Sequence, residues 1–337
     1  MVSIIILTHN ADDYIKITLE SLKTTVGVEF EVIVVDNASK VNTQKMLLEY
    51  KINGYIDRLL LLNENTFFAK GNNIGLKIVS PESKWVVLLN SDVEIKSGEW
   101  LRKLLDKSKL DNKIAGVSFG YAISPSGKNM ADGYCLLLSR ALFEQEMLNE
   151  EYEWWFAVPE LESKLLKRGY RVIAINNYEK YIYHFGGKSG DAWKKAKGMN
   201  KSISIYDEFF KTKNQVECIY DLDKSIGSNY KEINHLRGLY NDGWCAKNTD
   251  FEIKTLEKGL VYIEGYYPAQ INGNQHVDIV IGRKKQRFTL EDENFVLQIK
   301  TKKDSVVRVN MECGFAEKWS ESDIREMAFV VKDIRAE

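Results

Sequence analysis

Trp85-Val86-Val87-Leu88-Leu89-Asn90-Ser91-Asp92 is the stretch whose reading decides the fold. An apolar run of strand character stops abruptly at three polar residues. A continuous apolar run suits a strand covered on both faces, as in a parallel sheet. A carboxylate at the carboxyl end of such a strand stands where open α/β sheets bind ligands. On this string alone Asp92 has two readings. It could hold Mg²⁺ or Mn²⁺ together with substrate phosphates, or it could cap the next helix.

Upstream the same pattern repeats. Residues 2–7 (V-S-I-I-I-L), 30–35, 56–62 and 85–89 read as strands. Helical spacing follows each of the first three: apolar Ile15, Leu19 and Leu22 behind a cap at Asp12 or Asp13, then residues 43–50, then 70–79. A further helix is expected over 97–108 and a strand over 114–119. Strands alternating with helices imply βαβ units with right-handed crossovers. The first strand ends in Thr8-His9-Asn10, the second in Asp36-Asn37-Ala38-Ser39 and the fourth in Asn90-Ser91-Asp92. In a parallel sheet these three ends share one rim.

From about residue 215 the alternation stops. Short strands with period-two stretches follow at 251–253, 261–264, 277–281, 295–300, 306–311 and 328–331, separated by Gly, Asn and Asp. This spacing reads as an all-β sandwich. The expected division is an α/β domain over 1–222 and a β-sandwich over 223–337, the boundary falling near 212–232.

The chain has 337 residues, more than one ordinary core holds. A net charge of −1 supplies no basic field to draw it to nucleic acid. The four cysteines are far apart with no C-x-x-C, which suggests neither a zinc site nor a redox pair and fits reduced thiols in the cytosol. The chain enters a strand at once, so no signal peptide is expected. No apolar run approaches the ~20 residues of a membrane span.

Asp36 can accept a hydrogen bond from the imide N–H of uracil or thymine, and Thr8 and Asn10 can reach base or ribose or serve the turn. In Asn65-Thr66-Phe67-Phe68-Ala69-Lys70-Gly71-Asn72-Asn73-Ile74-Gly75, Gly71 permits a close approach, and Asn72 and Asn73 supply amides near a helix start that suits phosphate.

Taken in order, S-I-I-I-L-T-H-N, V-V-D-N-A-S, N-x-x-F-A-K-G-N-N-I-G and L-L-N-S-D-V resemble glycosyltransferase family 2, its rhamnosyltransferase-type members above all. The likeness covers about residues 2–190. It implies a GT-A fold, a mixed and mostly parallel sheet flanked by helices, and an inverting sugar transferase using Mn²⁺ or Mg²⁺. Its donor would be a UDP- or dTDP-linked sugar and its acceptor a glycan or lipid-linked hydroxyl. Thr8, Asn10, Asp36, Asn37, Lys70, Asn72, Asn73, Asn90 and Ser91 would then serve the donor nucleotide, and Asp92 the metal. Asn90 stands where the D-x-D-type string has its first acid. Asp132-Gly133 through Arg140 resembles the glycine-led strand before the acceptor site, where Gly133 would let sugar approach, or would be a simple bulge. Tyr183-His184-Phe185-Gly186-Gly187-Lys188 resembles a late histidine segment, with His184 on the metal and Lys188 on the diphosphate.

Inversion needs one general base. The family's aspartate falls on Val158, so the acids present, Glu160 and Glu162, are the candidates, Glu160 first. Trp154 and Trp155 could wall an acceptor site or belong to the core. The C-terminal sandwich resembles modules attached to surface-glycan transferases, which implies carbohydrate binding or homo-oligomer formation. Trp244, Tyr266 and Tyr267 are its stacking candidates, and Asp323 with Arg325 reads as a structural ion pair. The expected setting is the cytoplasm, peripheral association with the inner membrane face included, in cell-surface polysaccharide synthesis. Two rivals stand beside this: a non-catalytic sugar-nucleotide-binding relic, and a sugar nucleotidyltransferase, whose glycine- and arginine-rich N-terminal loop residues 8–14 lack.

Overall fold

The computed structural model describes residues 1–123, 128–176, 178–186, 192–201, 204–211, 216–220, 230–240, 243–255, 258–266, 275–281, 284–290, 294–304, 306–318 and 325–336. The chain divides into two compact units. The first comprises Met1–Phe119, Ala131–Ile173 and Tyr178–Asn214, and the second Gly120–Met130, Ala174–Asn177 and Gln215–Glu337.

The first unit opens with β1 (Val2–Thr8), α1 (Asp12–Leu22), β2 (Phe30–Asp36), α2 (Val41–Ile52), β3 (Arg58–Leu61), α3 (Phe67–Leu76) and β4 (Trp85–Asn90). β5 (Val93–Ile95), α4 (Trp100–Ser108) and β6 (Ile114–Phe119) follow. After β7 (Tyr121–Ile123) and β8 (Asn129–Ala131), whose residues up to Met130 belong to the second unit, come β9 (Cys135–Ser139), α5 (Arg140–Glu146), α6 (Ala157–Lys167), β10 (Arg171–Asn176), β11 (Ile182–His184) and α7 (Ile205–Phe209). The sheet runs β3-β2-β1-β4-β9-β6-β10. β1 pairs in parallel with both β2 and β4, and β9 pairs antiparallel with β4 and β6.

β1, β2 and β4 are buried almost throughout, as strands covered on both faces should be. Helix α3 presses on the sheet through its glycines. A Cβ at Gly75 would stand 2.6 Å from Cγ2 of Ile5, and one at Gly71 2.4 Å from Cδ1 of Leu7. Helix α1 starts without a side-chain cap: Ala11 holds the N-cap position, and Asp12 and Asp13 lie in the first turn beside the positive end of the dipole. At the amino end of the sheet the buried Glu31 carboxylate is met by Ser3, by Ser80 N–H at 2.6 Å and by Arg58 at 3.0 Å. Burial pushes its pKa up, but these bonds outweigh that and hold it low.

The second unit adds β12 (Glu217–Tyr220), β13 (Tyr230–Leu239), β14 (Trp244–Thr255), β15 (Leu260–Tyr266), β16 (Gln275–Ile281), β17 (Lys284–Leu290), β18 (Asn294–Lys300), β19 (Val306–Cys313) and β20 (Phe329–Ala336). One antiparallel sheet runs β17-β16-β19-β14-β13-β12, another β18-β15-β20, joined where β20 pairs β14. Phe251, Ile279 and Met311 of the first meet Ile263, Leu297 and Phe329 of the second in one core. Burial alternates along β15 and β18, the period of two read from the sequence. Trp244 and Tyr266 lie 6.5 Å apart, and Arg325 stacks on Tyr240. Tyr267 and Asp323 lie outside the described residues. Among the described residues no helix is long and apolar enough to cross a membrane.

Gly75→Ala sets the overpacking cost of a stiff, buried Ile5, about 1–3 kcal/mol, against about 1 kcal/mol of helix propensity. We expect a net loss of stability, read as a lower urea midpoint with an unchanged slope.

Candidate functional site

Strand register builds the rim. Thr8 pairs with Asp36 and Leu7 with Asn90, so the polar ends of β1, β2 and β4 finish side by side. Thr8 and Asp36 are fully buried. Asp36 Oδ2 accepts from Ser39 N–H at 3.2 Å and from Gln44 at 3.1 Å. Asp36 Oδ1 and Thr8 Oγ1 have no protein partner. An unmet buried polar atom costs about 1–3 kcal/mol, which a ligand at this rim would relieve.

The loops around the rim are strained and cross-linked. Asn10, Ala38 and Phe67 have φ of 53°, 59° and 56°. Only Asn among these residue types takes that region readily. Asn10 Oδ1 accepts from Lys40 N–H at 2.8 Å, and its N–H donates to Ser39 at 2.8 Å. His9 Nδ1 lies 2.7 Å from the Asn37 carbonyl and its Nε2 3.0 Å from the Asn10 amide nitrogen. His9 is thus part of the rim scaffold, although nothing in the sequence set it apart. Asn37, 2% exposed, does not reach outward for a nucleotide. Its amide holds Asn65 at 2.7 Å and its carbonyl oxygen receives Thr66 N–H at 2.6 Å, which fixes the turn into α3.

The pair of β5 and β11 brings Asp92 and His184 together. His184 stands opposite Val93, and Phe185 N–H donates to the Asp92 carbonyl at 3.0 Å. His184 Nε2 lies 3.2 Å from Asp92 Oδ1 yet forms no hydrogen bond there or elsewhere. Neighbouring ligands on one octahedral ion at about 2.1 Å stand about 3 Å apart, so the pair fits a shared divalent cation. Among the described residues no group of three or more His, Cys, Asp or Glu could hold a metal, which leaves further ligands to water and phosphate. Tyr134 stacks on the His184 ring at 4.3 Å, and its carbonyl accepts Asn90 N–H at 2.8 Å. The Ser91 carbonyl is held by Thr18 at 2.9 Å.

Several expected contacts take another form. Asn72 and Asn73 are 2% exposed and turned to internal carbonyls, Asn72 to Phe68 at 2.8 Å and Asn73 to Leu148 at 2.9 Å. They brace α3 rather than offer amides to a phosphate. The N–H groups of Phe68 and Ala69, at the start of α3, donate to the Glu153 carbonyl. Lys70 is half-exposed, 3.4 Å from Glu64. Gly133 serves close packing, since a Cβ there would meet Val158 at 3.0 Å. Trp154 packs edge-on to Phe68, Phe156 is core, and Trp155 is 49% exposed. Lys188 lies outside the described residues.

The two expected bases stand in different surroundings, and the buried Oε2 of Glu160 has no hydrogen-bond partner. Glu160 lies on α6 with Oε2 2.9 Å from Lys164 and Oε1 3.2 Å from the Asn149 amide. Glu162 is fully buried, and its Oε2 accepts Ala131 N–H at 3.2 Å. Burial drives its pKa well above the ordinary range, and the charge of Asp132 adds to the rise. Asp132 is the acid the sequence reading passed over. It sits on the turn before β9, partly exposed, its carboxylate held by the N–H groups of Tyr134 and Gly133.

A mixed, helix-flanked sheet with its polar strand ends on one rim defines the protein class: this is a GT-A fold, carrying a C-terminal all-β domain. The family model of glycosyl transferase family 2 matches residues 3–161. The putative teichuronic acid biosynthesis glycosyltransferase TuaG of Bacillus subtilis (strain 168) is 24% identical over 232 residues, 62% of this chain and 88% of that one. Mannosyltransferase PcManGT from Pyrobaculum calidifontis, solved with GDP-Man and Mn²⁺, is 19% identical with a TM-score of 0.44, over 51% of this chain and 54% of its own. This chain thus spans about half the length of that protein. S. aureus TarS is 12% identical with a TM-score of 0.43, over 92% of this chain and 72% of its own.

Asn37→Ala removes a buried hub of several hydrogen bonds and should cost roughly 2–4 kcal/mol, measured by urea unfolding. Glu162 binds its proton more tightly folded than unfolded. Its contribution is therefore intact below the ordinary glutamate range and drains away as pH rises. Glu162→Gln should flatten the fall in stability of the wild type between pH 5 and 8, read by thermal unfolding at each pH.

Proposed function

We propose that this protein is an inverting, metal-dependent glycosyltransferase. It moves a sugar from a UDP- or dTDP-linked donor to a hydroxyl of a glycan or lipid-linked acceptor. The observation that carries the reading is the convergence of unmet polar groups on one rim: Asp36 Oδ1, Thr8 Oγ1 and the Asp92–His184 pair. The match of residues 3–161 to the model of glycosyl transferase family 2 supports the reaction type. The relative named for teichuronic acid biosynthesis supports cell-surface polysaccharide as the setting. The C-terminal sandwich we assign to carbohydrate binding or self-association, and the place of work to the cytoplasmic face of the membrane.

In this reading Asp36 accepts the imide N–H of the base, and Thr8 bonds the nucleotide at the end of β1. Asp92 and His184 would hold Mn²⁺ or Mg²⁺, which when bound would neutralise charge on the departing diphosphate. The acceptor oxygen attacks the anomeric carbon on the face opposite the leaving group while one carboxylate takes its proton. Inversion in one displacement needs no covalent enzyme intermediate.

The assay is release of nucleoside diphosphate from UDP- and dTDP-sugars with Mn²⁺ or Mg²⁺, beside calorimetric titration of UDP with Mn²⁺. Asp92→Asn and His184→Ala should each weaken metal-dependent UDP binding by about tenfold or more, the size expected for loss of a charge-assisted contact. Binding without turnover under every condition would mark a sugar-nucleotide-binding protein of the same fold. Neither binding nor release would sink the transferase reading.

A further inference from the structure

Resting on the transferase reading, we propose that Asp132, on the turn between β8 and β9, is the general base that deprotonates the acceptor hydroxyl. Among the described residues, the acids on α6 and on the turn before β9 are Glu160, Glu162 and Asp132, and Asp92 follows β4. Asp92 faces His184. Glu160 is paired with Lys164 and Asn149. Glu162 is sealed in the interior, where it anchors the N–H of Ala131 directly before Asp132. Among the described residues, Asp132 makes no ion pair at bonding distance with a Lys or Arg side chain.

Its placement is fixed from three sides. Behind it, Gly133 backs onto Val158, which brings the turn flush against α6. Ahead of it, the Tyr134 carbonyl is tied to Asn90 N–H at 2.8 Å, which stitches the turn to the polar end of β4. Beside it, the Tyr134 ring lies on His184 at 4.3 Å, and Asp132 is within electrostatic reach of that imidazole. The turn that carries the carboxylate is therefore tied to the polar end of β4 on one side and packed on α6 on the other. Two backbone N–H groups, of Gly133 and Tyr134, hold it without neutralising it. In the step, the acceptor oxygen forms its bond to the anomeric carbon and its proton passes to Asp132. The bond from that carbon to the diphosphate oxygen breaks, and its electron pair leaves with the nucleoside diphosphate.

The test uses the full chain, UDP-sugars and dTDP-sugars as donors with Mn²⁺, and UDP with Mn²⁺ as the binding probe. Asp132→Asn keeps the size of the side chain and one acceptor oxygen and removes the basicity. It should lower kcat by about 10²- to 10⁴-fold, the usual worth of a positioned base, with donor KM and UDP affinity changed by no more than about twofold. Glu160→Gln, which removes an acid already paired with Lys164, is the comparison and should cost less turnover than Asp132→Asn. Asp132→Ser, which also keeps an acceptor oxygen, carries the test should the Asn variant not fold. Turnover by a folded Asp132 variant within about fivefold of wild type overturns the inference, as does a loss of UDP affinity that matches the loss of turnover. A wild-type chain that turns over no donor overturns the transferase reading, and this inference with it.

Discussion

The parallel register of β1 between β2 and β4 is the constraint on which the site depends. It sets Thr8 against Asp36 and Leu7 against Asn90. Side chains alternate between faces, so a slip of one residue would turn each of them to the other side of the sheet. Ile4, Ile5 and Ile6 are all buried, and β1 has sheet neighbours on both edges. The glycines of α3 let that helix sit low on β1 and β2, which seals the same strands. Rim chemistry and core packing are thus set by one pairing.

A second, much smaller pairing completes the site. The three-residue strands β5 and β11 join positions 92 and 184, far apart in the chain, and hold Asp92 and His184 at 3.2 Å. Around them the loops carry backbone conformations that Ala38 and Phe67 adopt only when the surroundings impose them. The network of Asn37 with Asn65 and Thr66, and of Asn10 with Lys40, supplies that imposition. Stability is given up at this rim and made good in the strands beneath it, the usual arrangement at a binding site.

The acids on α6 show how burial reassigns chemistry. Glu160 and Glu162 are two residues apart, about 200° around the helix, and meet different worlds. Glu160 finds Lys164 one turn on, while Glu162 is pressed under the turn that bears Asp132. Spacing alone could separate their directions but not tell which direction led to solvent, to the interior or to the rim. That depended on where β8, β9 and α6 come to lie.

Much of the fold was legible in the chain. Continuous apolar runs gave β1, β2 and β4, because a strand covered on both faces has no polar side to show. Period-two stretches gave β15 and β18 for the converse reason. The polar strand ends gave Thr8, Asp36, Asn90 and Asp92 a common edge, since parallel strands must finish together. The short strands β5, β8 and β11 were not legible, because three residues carry no period. For the same reason Asp132 and His9 could not be told from ordinary loop residues. The amides of Asn37, Asn72 and Asn73 read as ligand donors until burial showed them spent on backbone carbonyls and neighbouring side chains. The sequence by itself determined which residues could be chemically active and which strand ends they occupied. Only the tertiary structure decided which remained free to act, because a polar group is used up by whatever partner packing places within about 3 Å of it.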